Sequence, residues 1–479
     1  MITPLTHDQQ QWVDATFGRL STADKVAQLL IPNLGGYDYD EAVAAFMAER
    51  TLGGIFVAGA DYATHRAELG KLQERCSIPL VVAADLEAGA GHVVYGGVAF
   101  PEPLAVAAAD DAHLAYTLGQ AAAREGRHAG MHWTFAPVVD VNVNPDNPIA
   151  NTRSLGDDPS RVARLATAML RGMQEHGLGA CAKHFPGDGV DDMDHHIGTS
   201  VNTLSREAWH RLSGWTFRQA IEAGVWSIMI GHIALPAWER EQDAHGVYRP
   251  ASISRTLVTD LLRGELGFTG LIVTDDMNMG GVAGYMNRRE RTVACIAAGC
   301  DMLLFPKLPD DYTTLVEAVQ ARALPQARLD DAVRRVLSFK ARLHLHRGEV
   351  FGPAVTASER QTFAAASRDI AEKAVVTVRD VNGILPLKHL QPGAKVLTIT
   401  LASNDQEVPE VDQLLRQRGY QVDHVYNPDD IRFGESTFAY DAVFVNFVFK
   451  AVWGLQSVRS VGLQNRIFIG GFYSDHPCV

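Results

Sequence analysis

Cysteine is scarce in this chain, with five in 479 residues and no CxxC spacing among them. Cys76, Cys181, Cys295, Cys300 and Cys478 sit mostly inside apolar runs. That pattern argues against a disulfide framework or a zinc ribbon and predicts buried free thiols. Basic charge is also short: 43 Lys and Arg stand against 56 Asp and Glu, a net charge of −13. Without a basic field facing phosphates, general nucleic-acid binding is not expected. No window reaches the roughly 18 apolar residues of a membrane helix, so no membrane partner is expected either. The opening Met1-Ile-Thr-Pro-Leu-Thr lacks the basic and apolar regions of a signal peptide, which predicts a cytoplasmic location. No internal repeat or low-complexity segment stands out.

What remains is the composition of a globular protein, 47% apolar and 21% charged, long enough for two or three domains. Over the first three-quarters, short apolar runs alternate with helical stretches, the pattern of a parallel sheet wrapped in helices. Strands are predicted at 54–58, 80–84, 133–138, 179–184, 227–232, 271–275 and 302–306. Several are apolar on both faces, as doubly covered strands should be. Ser21-Thr-Ala-Asp24 announces the first helix, with an N-cap and an acid three residues on. Pro159 to Leu170 repeats apolar residues at three and four. The helix from Leu329 closes this region, and His346-Arg-Gly-Glu-Val-Phe-Gly-Pro353 breaks the pattern. The expected division is a catalytic domain over 1–346, a linker over 347–358 and a smaller α/β domain over 359–479. In that last part, a helix near 358–374 precedes apolar runs at 395–400, 442–449 and 466–470.

Polar residues stand where the apolar runs end: Asp85, Asp140, Lys183-His184, His232 and Asp275-Asp276. Strand C-termini carry the active site in a (β/α)8 barrel and in a doubly wound open sheet alike, so the pattern says enzyme without choosing between them. The densest polar segment is Lys183-His-Phe-Pro-Gly-Asp-Gly-Val-Asp-Asp-Met-Asp-His-His196. It admits three readings: a solvated acidic loop, an Asp/His metal site, or an Asp–His general acid/base. The metal reading matches neither a helical HExxH nor a calcium loop. In the acid/base reading, a carboxylate two residues before a histidine fixes its tautomer and raises its basicity. The second segment, Leu271-Ile-Val-Thr-Asp275-Asp276, fixes a carboxylate at the end of a buried strand, as a nucleophile requires. One of these two aspartates is expected to cap the following helix.

Lys183-His-Phe-Pro-Gly with Asp194-His-His196, Thr274-Asp-Asp-Met-Asn-Met, Arg153-Ser-Leu-Gly-Asp-Asp-Pro and Asp85-Leu-Glu-Ala-Gly resemble, in order, four motifs of glycoside hydrolase family 3, its β-N-acetylglucosaminidase branch. The resemblance implies a (β/α)8 barrel followed by a three-layer α/β sandwich, shortened here, and retaining release of terminal β-linked N-acetylglucosamine. It further implies Asp275 as nucleophile and His196 as acid/base oriented by Asp194. Asp85, Arg153, Lys183 and His184 would bind sugar hydroxyls. His232 matches a family histidine near the site, though a satisfied core histidine is an equal reading. Neither metal nor cofactor is implied, and the partner is a small carbohydrate; the oligomeric state is left open. Three positions depart from the pattern: Asp188 where His is frequent, Ala88 where Gly is common, and His195 where Ser, Thr or Gln is usual. Phosphorolysis on the same site, a β-glucosidase-like specificity, a sugar-binding protein with a dead site and a metal-dependent hydrolase are the alternatives.

Overall fold

The computed structural model describes residues 2–380, 383, 385–387, 390–402, 409–427 and 439–448. They fall into two compact units, divided between Val375 and Val376. The two larger sheets of the first unit are built from eight short strands: β1 (Leu30–Ile31), β2 (Gly54–Phe56), β3 (Val81–Ala84), β4 (Trp133–Thr134), β5 (Cys181–Phe185), β6 (Ser227–Ile230), β7 (Leu271–Asp276) and β8 (Met302–Leu304). One sheet runs β1-β8-β7-β6-β5 and another β2-β3-β4, with every ladder parallel. Single parallel bridges lie between the two sheets, Asn33 to Phe56 at one seam and Trp133 to Gly179 and Val138 to Lys183 at the other.

The strands obey a period of two, with both sets of side chains buried. Val81, Ala83, Trp133, Cys181, Met229, Leu271, Val273 and Met302 share one apolar cluster. The alternate residues Val82, Ala84, Ala182, Ile228, Ile230 and Ile272 belong to a second, larger one built with the helices. Trp133 keeps its indole N–H satisfied by donating to Ser227 Oγ at 2.7 Å, as a buried indole must. The helix Pro159–Glu175 buries Val162, Leu165, Ala166, Met169, Leu170 and Met173, the spacing that its sequence announced.

Ser21 and Asp24 do form a reciprocal capping box. The helix they open is nevertheless the second, since His7–Phe17 precedes it under a Thr6 cap. The larger difference lies at the domain boundary. The helix Ala357–Lys373, expected to open the second region, packs on the helices Pro103–Ala109 and Ala112–Ala129 of the first unit. Its residues Phe363, Ala366 and Ile370 are buried in the larger core cluster, and Arg124 clasps Glu359 at 2.7 and 3.3 Å. The expected linker is docked as well: Gly352 N–H donates to the Arg127 carbonyl, and Arg66 covers the Phe351 ring. The first unit therefore continues past 346.

The second unit holds β9 (Lys395–Ala402), β10 (Gln421–Tyr426) and β11 (Ala442–Val448) in a parallel sheet ordered β10-β9-β11, with the helix Pro409–Gln417. Leu397, Ile399 and Val443 form its core. The apolar runs at 395–400 and 442–449 supply β9 and β11. The run at 466–470 and Cys478 lie outside the described residues. Cys181, Cys295 and Cys300 are buried free thiols, and Cys76 is half-buried. No helix among the described residues is long and apolar enough to cross a membrane.

Candidate active site

The C-terminal ends of β3, β5 and β7 bring Asp85, Lys183, His184 and Asp275 to one cavity of about 250 Å³, joined by Arg153 and His196. Phe56, Phe135 and Phe305 give it apolar walls, with Phe56 lying flat against Phe135 and edge-on to Phe305.

Its charged side is a network centred on Glu87, a residue inside the Asp-Leu-Glu-Ala-Gly motif to which sequence reasoning gave no role. Arg153 donates to both Glu87 carboxylate oxygens, at 2.9 and 2.7 Å. Lys183 Nζ lies 2.6 Å from the same group and 3.1 Å from Asp85. Burial opposes charge on Lys183, which is buried, and on Glu87 and Arg153, which are largely so. The attraction between them outweighs it, holding Glu87 well below the usual carboxylate range and raising Lys183 and Arg153. The fork and the ammonium are thus fixed charged, with Asp85 half-exposed beside them as an acceptor.

Asp275 ends β7. Its Oδ1 accepts the Asp276 N–H at 2.8 Å. Burial would push the carboxyl toward its neutral form. The imidazoles of His195, His184 and His232 and that amide together keep it below its ordinary value, so it stands ionised. Asp276 serves the turn instead, its Oδ1 accepting from the Asn278 backbone and side chain at 2.8 and 2.7 Å. The helix cap expected of one of the pair is not formed: the following helix, Gly280–Ala283, has Met279 at its N-cap and no side-chain cap.

Asp194 is buried and its Oδ1 meets His196 Nδ1 at 2.7 Å, while also accepting the His196 N–H at 2.8 Å. The imidazole itself is part-exposed at the cavity. The loop that carries it is latched to the segment after Asp275. Gly280 N–H donates to the His196 carbonyl at 2.7 Å, and Gly281 N–H to the His195 carbonyl at 3.0 Å. A Cβ at Gly280 would stand 2.1 Å from the Ile197 carbonyl oxygen, and one at Gly281 2.7 Å from that of His195. Close backbone approach explains the paired glycines.

His184 places Nδ1 2.7 Å from Asp140, which also accepts the His184 N–H. Asp140, noted only as a polar residue at a strand end, is thus the group that orients a cavity-lining imidazole. Of the two equal readings of His232, its contacts fit the satisfied core histidine and not the substrate-binding role. Its Nδ1 bonds Ser252 Oγ and its Nε2 the Asp276 carbonyl, both at 2.8 Å, and it is buried off the cavity lining. Both ring nitrogens are used within the protein, which leaves none for a sugar hydroxyl. His195, which received no role from the sequence, lines the cavity with Nε2 3.9 Å from Asp275 Oδ2.

His184, His195 and Asp275 can each turn one ligand atom inward, all within 4.8 Å of one another. Zinc with bonds of about 2.0–2.1 Å needs tetrahedral ligand atoms about 3.3–3.5 Å apart. His195 Nε2 and Asp275 Oδ2, 3.9 Å apart, stand wider than that.

A parallel α/β unit that gathers a strand-end carboxylate, an Asp–His pair and a clamped lysine and arginine in one small cavity defines an enzyme for a small polar substrate. Residues 21–339 match the description "Glycosyl hydrolase family 3 N terminal domain", and the chain belongs to that family of glycosidases. It is 36% identical over 391 residues to a "Beta-N-acetylglucosaminidase/beta-glucosidase" of Cellulomonas fimi, covering 80% of this chain and 69% of that one. Among solved structures it is similar to a β-glucoside phosphorylase BglX bound to 2FGlc, with TM-score 0.89 and 30% identity over 99% of this chain and 88% of the other. It also resembles a glycoside hydrolase family 3 β-N-acetylglucosaminidase from Paenibacillus sp., with TM-score 0.77 and 28% identity over 89% and 84% of the two chains.

Proposed function

We propose that this chain removes terminal β-linked N-acetylglucosamine with retention of configuration, through a covalent glycosyl-enzyme intermediate on Asp275. The observation that carries the reading is one cavity holding an ionised, largely buried Asp275 together with the Asp194–His196 pair. His196 protonates the glycosidic oxygen as Asp275 attacks the anomeric carbon and the aglycone leaves. Neutral His196 then takes a proton from water while that water's oxygen attacks the same carbon, and the Asp275 carboxylate departs. Retaining glycosidases usually pair two carboxyls for these tasks, and here Asp194–His196 takes the place of the second. Lys183, Arg153, Asp85 and His184 hold the ring hydroxyls, fixing the sugar for in-line attack. No step is routed through a metal.

On the same reading the eight strands close as a (β/α)8 barrel, with Asp275 at its C-terminal mouth and the second unit a small α/β sandwich. The bridges at both seams between the two sheets support that closure. Names of relatives add weight to the sugar assignment, the Paenibacillus enzyme being a β-N-acetylglucosaminidase and the Cellulomonas one a β-N-acetylglucosaminidase that is also named a β-glucosidase.

Phosphorolysis is the second reading, favoured by the likeness to a phosphorylase along 99% of this chain. A neutral imidazole repels incoming phosphate less than a carboxylate would. Product analysis with p-nitrophenyl N-acetyl-β-D-glucosaminide, with and without phosphate and beside the matching glucoside, separates the two. Free N-acetylglucosamine in both buffers is the expected result. A sugar 1-phosphate formed only with phosphate means that phosphate takes the place of water as the acceptor, and turnover of the glucoside alone overturns the sugar assignment.

A further inference from the structure

His195 is almost fully buried, and its Nδ1 has no hydrogen-bond partner among the described residues. Asp188 Oδ2, equally buried, lacks one too. The two orphaned atoms face each other at 3.7 Å. Asp188 Oδ1 is already occupied, accepting from Asn147 Nδ2 and the Gly189 N–H, both at 2.7 Å. On the far side of the ring, His195 Nε2 lies 3.9 Å from Asp275 Oδ2.

We propose that Asp188 and His195 form a relay that aims a proton at Asp275: the Asp188 carboxyl donates to His195 Nδ1, and His195 Nε2–H faces the Asp275 carboxylate. This rests on Asp275 being the nucleophile. A carboxyl donor and an imidazole acceptor are complementary, and a shift of under about 1 Å brings them to hydrogen-bond length. Two buried orphans in mutual reach are one bond unmade, since buried polar groups without partners are costly. Burial, with Asp140 and Asp191 adding their repulsion, raises Asp188 well above the ordinary carboxyl range, so it carries the proton to give. Burial also keeps His195 neutral. A neutral ring that accepts at Nδ1 must hold its proton at Nε2.

The outcome is a donor aimed at each oxygen of Asp275, the Asp276 N–H bonded to Oδ1 at 2.8 Å and the imidazole N–H directed at Oδ2 across 3.9 Å. The carboxylate plane is thereby fixed, and the second donor supports the charge that returns to Asp275 when the glycosyl-enzyme breaks down. Asp188 and His195 act as positioning residues, and neither exchanges a proton with the sugar.

The test is the tautomer of His195 in the full chain, labelled with 15N-histidine and read from two-bond 1H–15N correlations. Its resonances are assigned by their loss in His195→Gln among the 18 histidines. Expected is a neutral ring with Nδ1 unprotonated around pH 7. Asp188→Asn keeps a donor toward Nδ1 and should retain that tautomer, with kcat within about threefold of wild type. Asp188→Leu should release it and lower kcat by about tenfold or more at nearly constant KM. A wild-type ring protonated on Nδ1 or on both nitrogens overturns the relay without any variant. So does an Asp188→Asn enzyme as slow as Asp188→Leu. Trapping with a 2-fluoro glycosyl fluoride is read separately by mass: label absent from Asp275 refutes the nucleophile while leaving the tautomer result intact.

Discussion

Replacing Glu87 by Gln tests whether the cavity's cations depend on a single buried anion. Glu87 meets three nitrogens, two from Arg153 and one from Lys183, all within 2.9 Å. A carboxamide offers one acceptor oxygen and turns an NH2 toward the guanidinium, so both cations lose the Glu87 charge while the volume is kept. Removing one partner of a buried ion pair costs about 3–5 kcal/mol. Lys183 retains Asp85 at 3.1 Å, which points to the lower end of that range. The unfolding entropy is about 2.1 cal/mol/K per residue, or about 0.8 kcal/mol/K over a first unit reaching residue 375. A loss of about 3 kcal/mol therefore lowers Tm by about 4 °C. Calorimetry measures this, and steady-state kinetics should show kcat/KM down by about 100-fold as the sugar loses its clamp. The sign with pH follows from the depressed Glu87 carboxyl: its stabilisation is fully present above the unfolded value of about 4.3 and is lost as pH falls below it. The gap between wild type and Glu87→Gln should narrow in acid. A variant melting within about 1 °C of wild type at pH 7, with activity within about threefold, would refute the reasoning.

His196→Ala should slow glycosides with poor leaving groups far more than activated aryl glycosides, because the latter need little protonation; equal losses in kcat/KM on both substrate types would contradict the acid/base role. Gly280→Ala drives a Cβ to within 2.1 Å of the Ile197 carbonyl. It should displace the His196 loop, lowering kcat by about 10-fold or more with a fold intact by circular dichroism. Lys340 is buried with Gln28 Oε1 as its hydrogen-bond acceptor, and burial pushes it down to about 7. Between that value and about 10.4 the unfolded chain binds a proton that the folded one does not, so wild-type stability should rise with pH across this window. Lys340→Met should flatten the rise in a denaturation series, and an unchanged slope would count against the neutral buried lysine.

Much of the fold was legible because doubly buried strands read as continuous apolar runs. Val81–Ala84 and Ser227–Ile230 need no tertiary context to be recognised. Leu30–Ile31 escaped notice since its two residues continue the apolar stretch of the preceding helix, Thr22–Ala27. Gln421–Tyr426 escaped for the opposite reason: its exposed and part-buried residues alternate along a polar sequence. The site residues at strand ends were visible as interruptions of apolar runs. Glu87's role was not, because its partner Arg153 lies 66 residues away and nothing local announces the pairing. His232 shows the converse. A histidine after a strand looks like a ligand until Ser252 and the Asp276 carbonyl are found on its two nitrogens.

The docking of Ala357–Lys373 redraws the smallest piece of this chain able to stand alone. Phe363 and Ile370, each worth about 1.5–3 kcal/mol when buried, seat in the larger core cluster. Ser367 and Lys373 bond to Ala99 and Asp111. A chain cut at residue 346 would expose a greasy furrow on Pro103–Ala109 and Ala112–Ala129, whereas one cut after Val375 carries its own lid. For anyone exchanging second units among relatives, the seam belongs in the stretch after that helix, and a graft made before it would leave the recipient sticky.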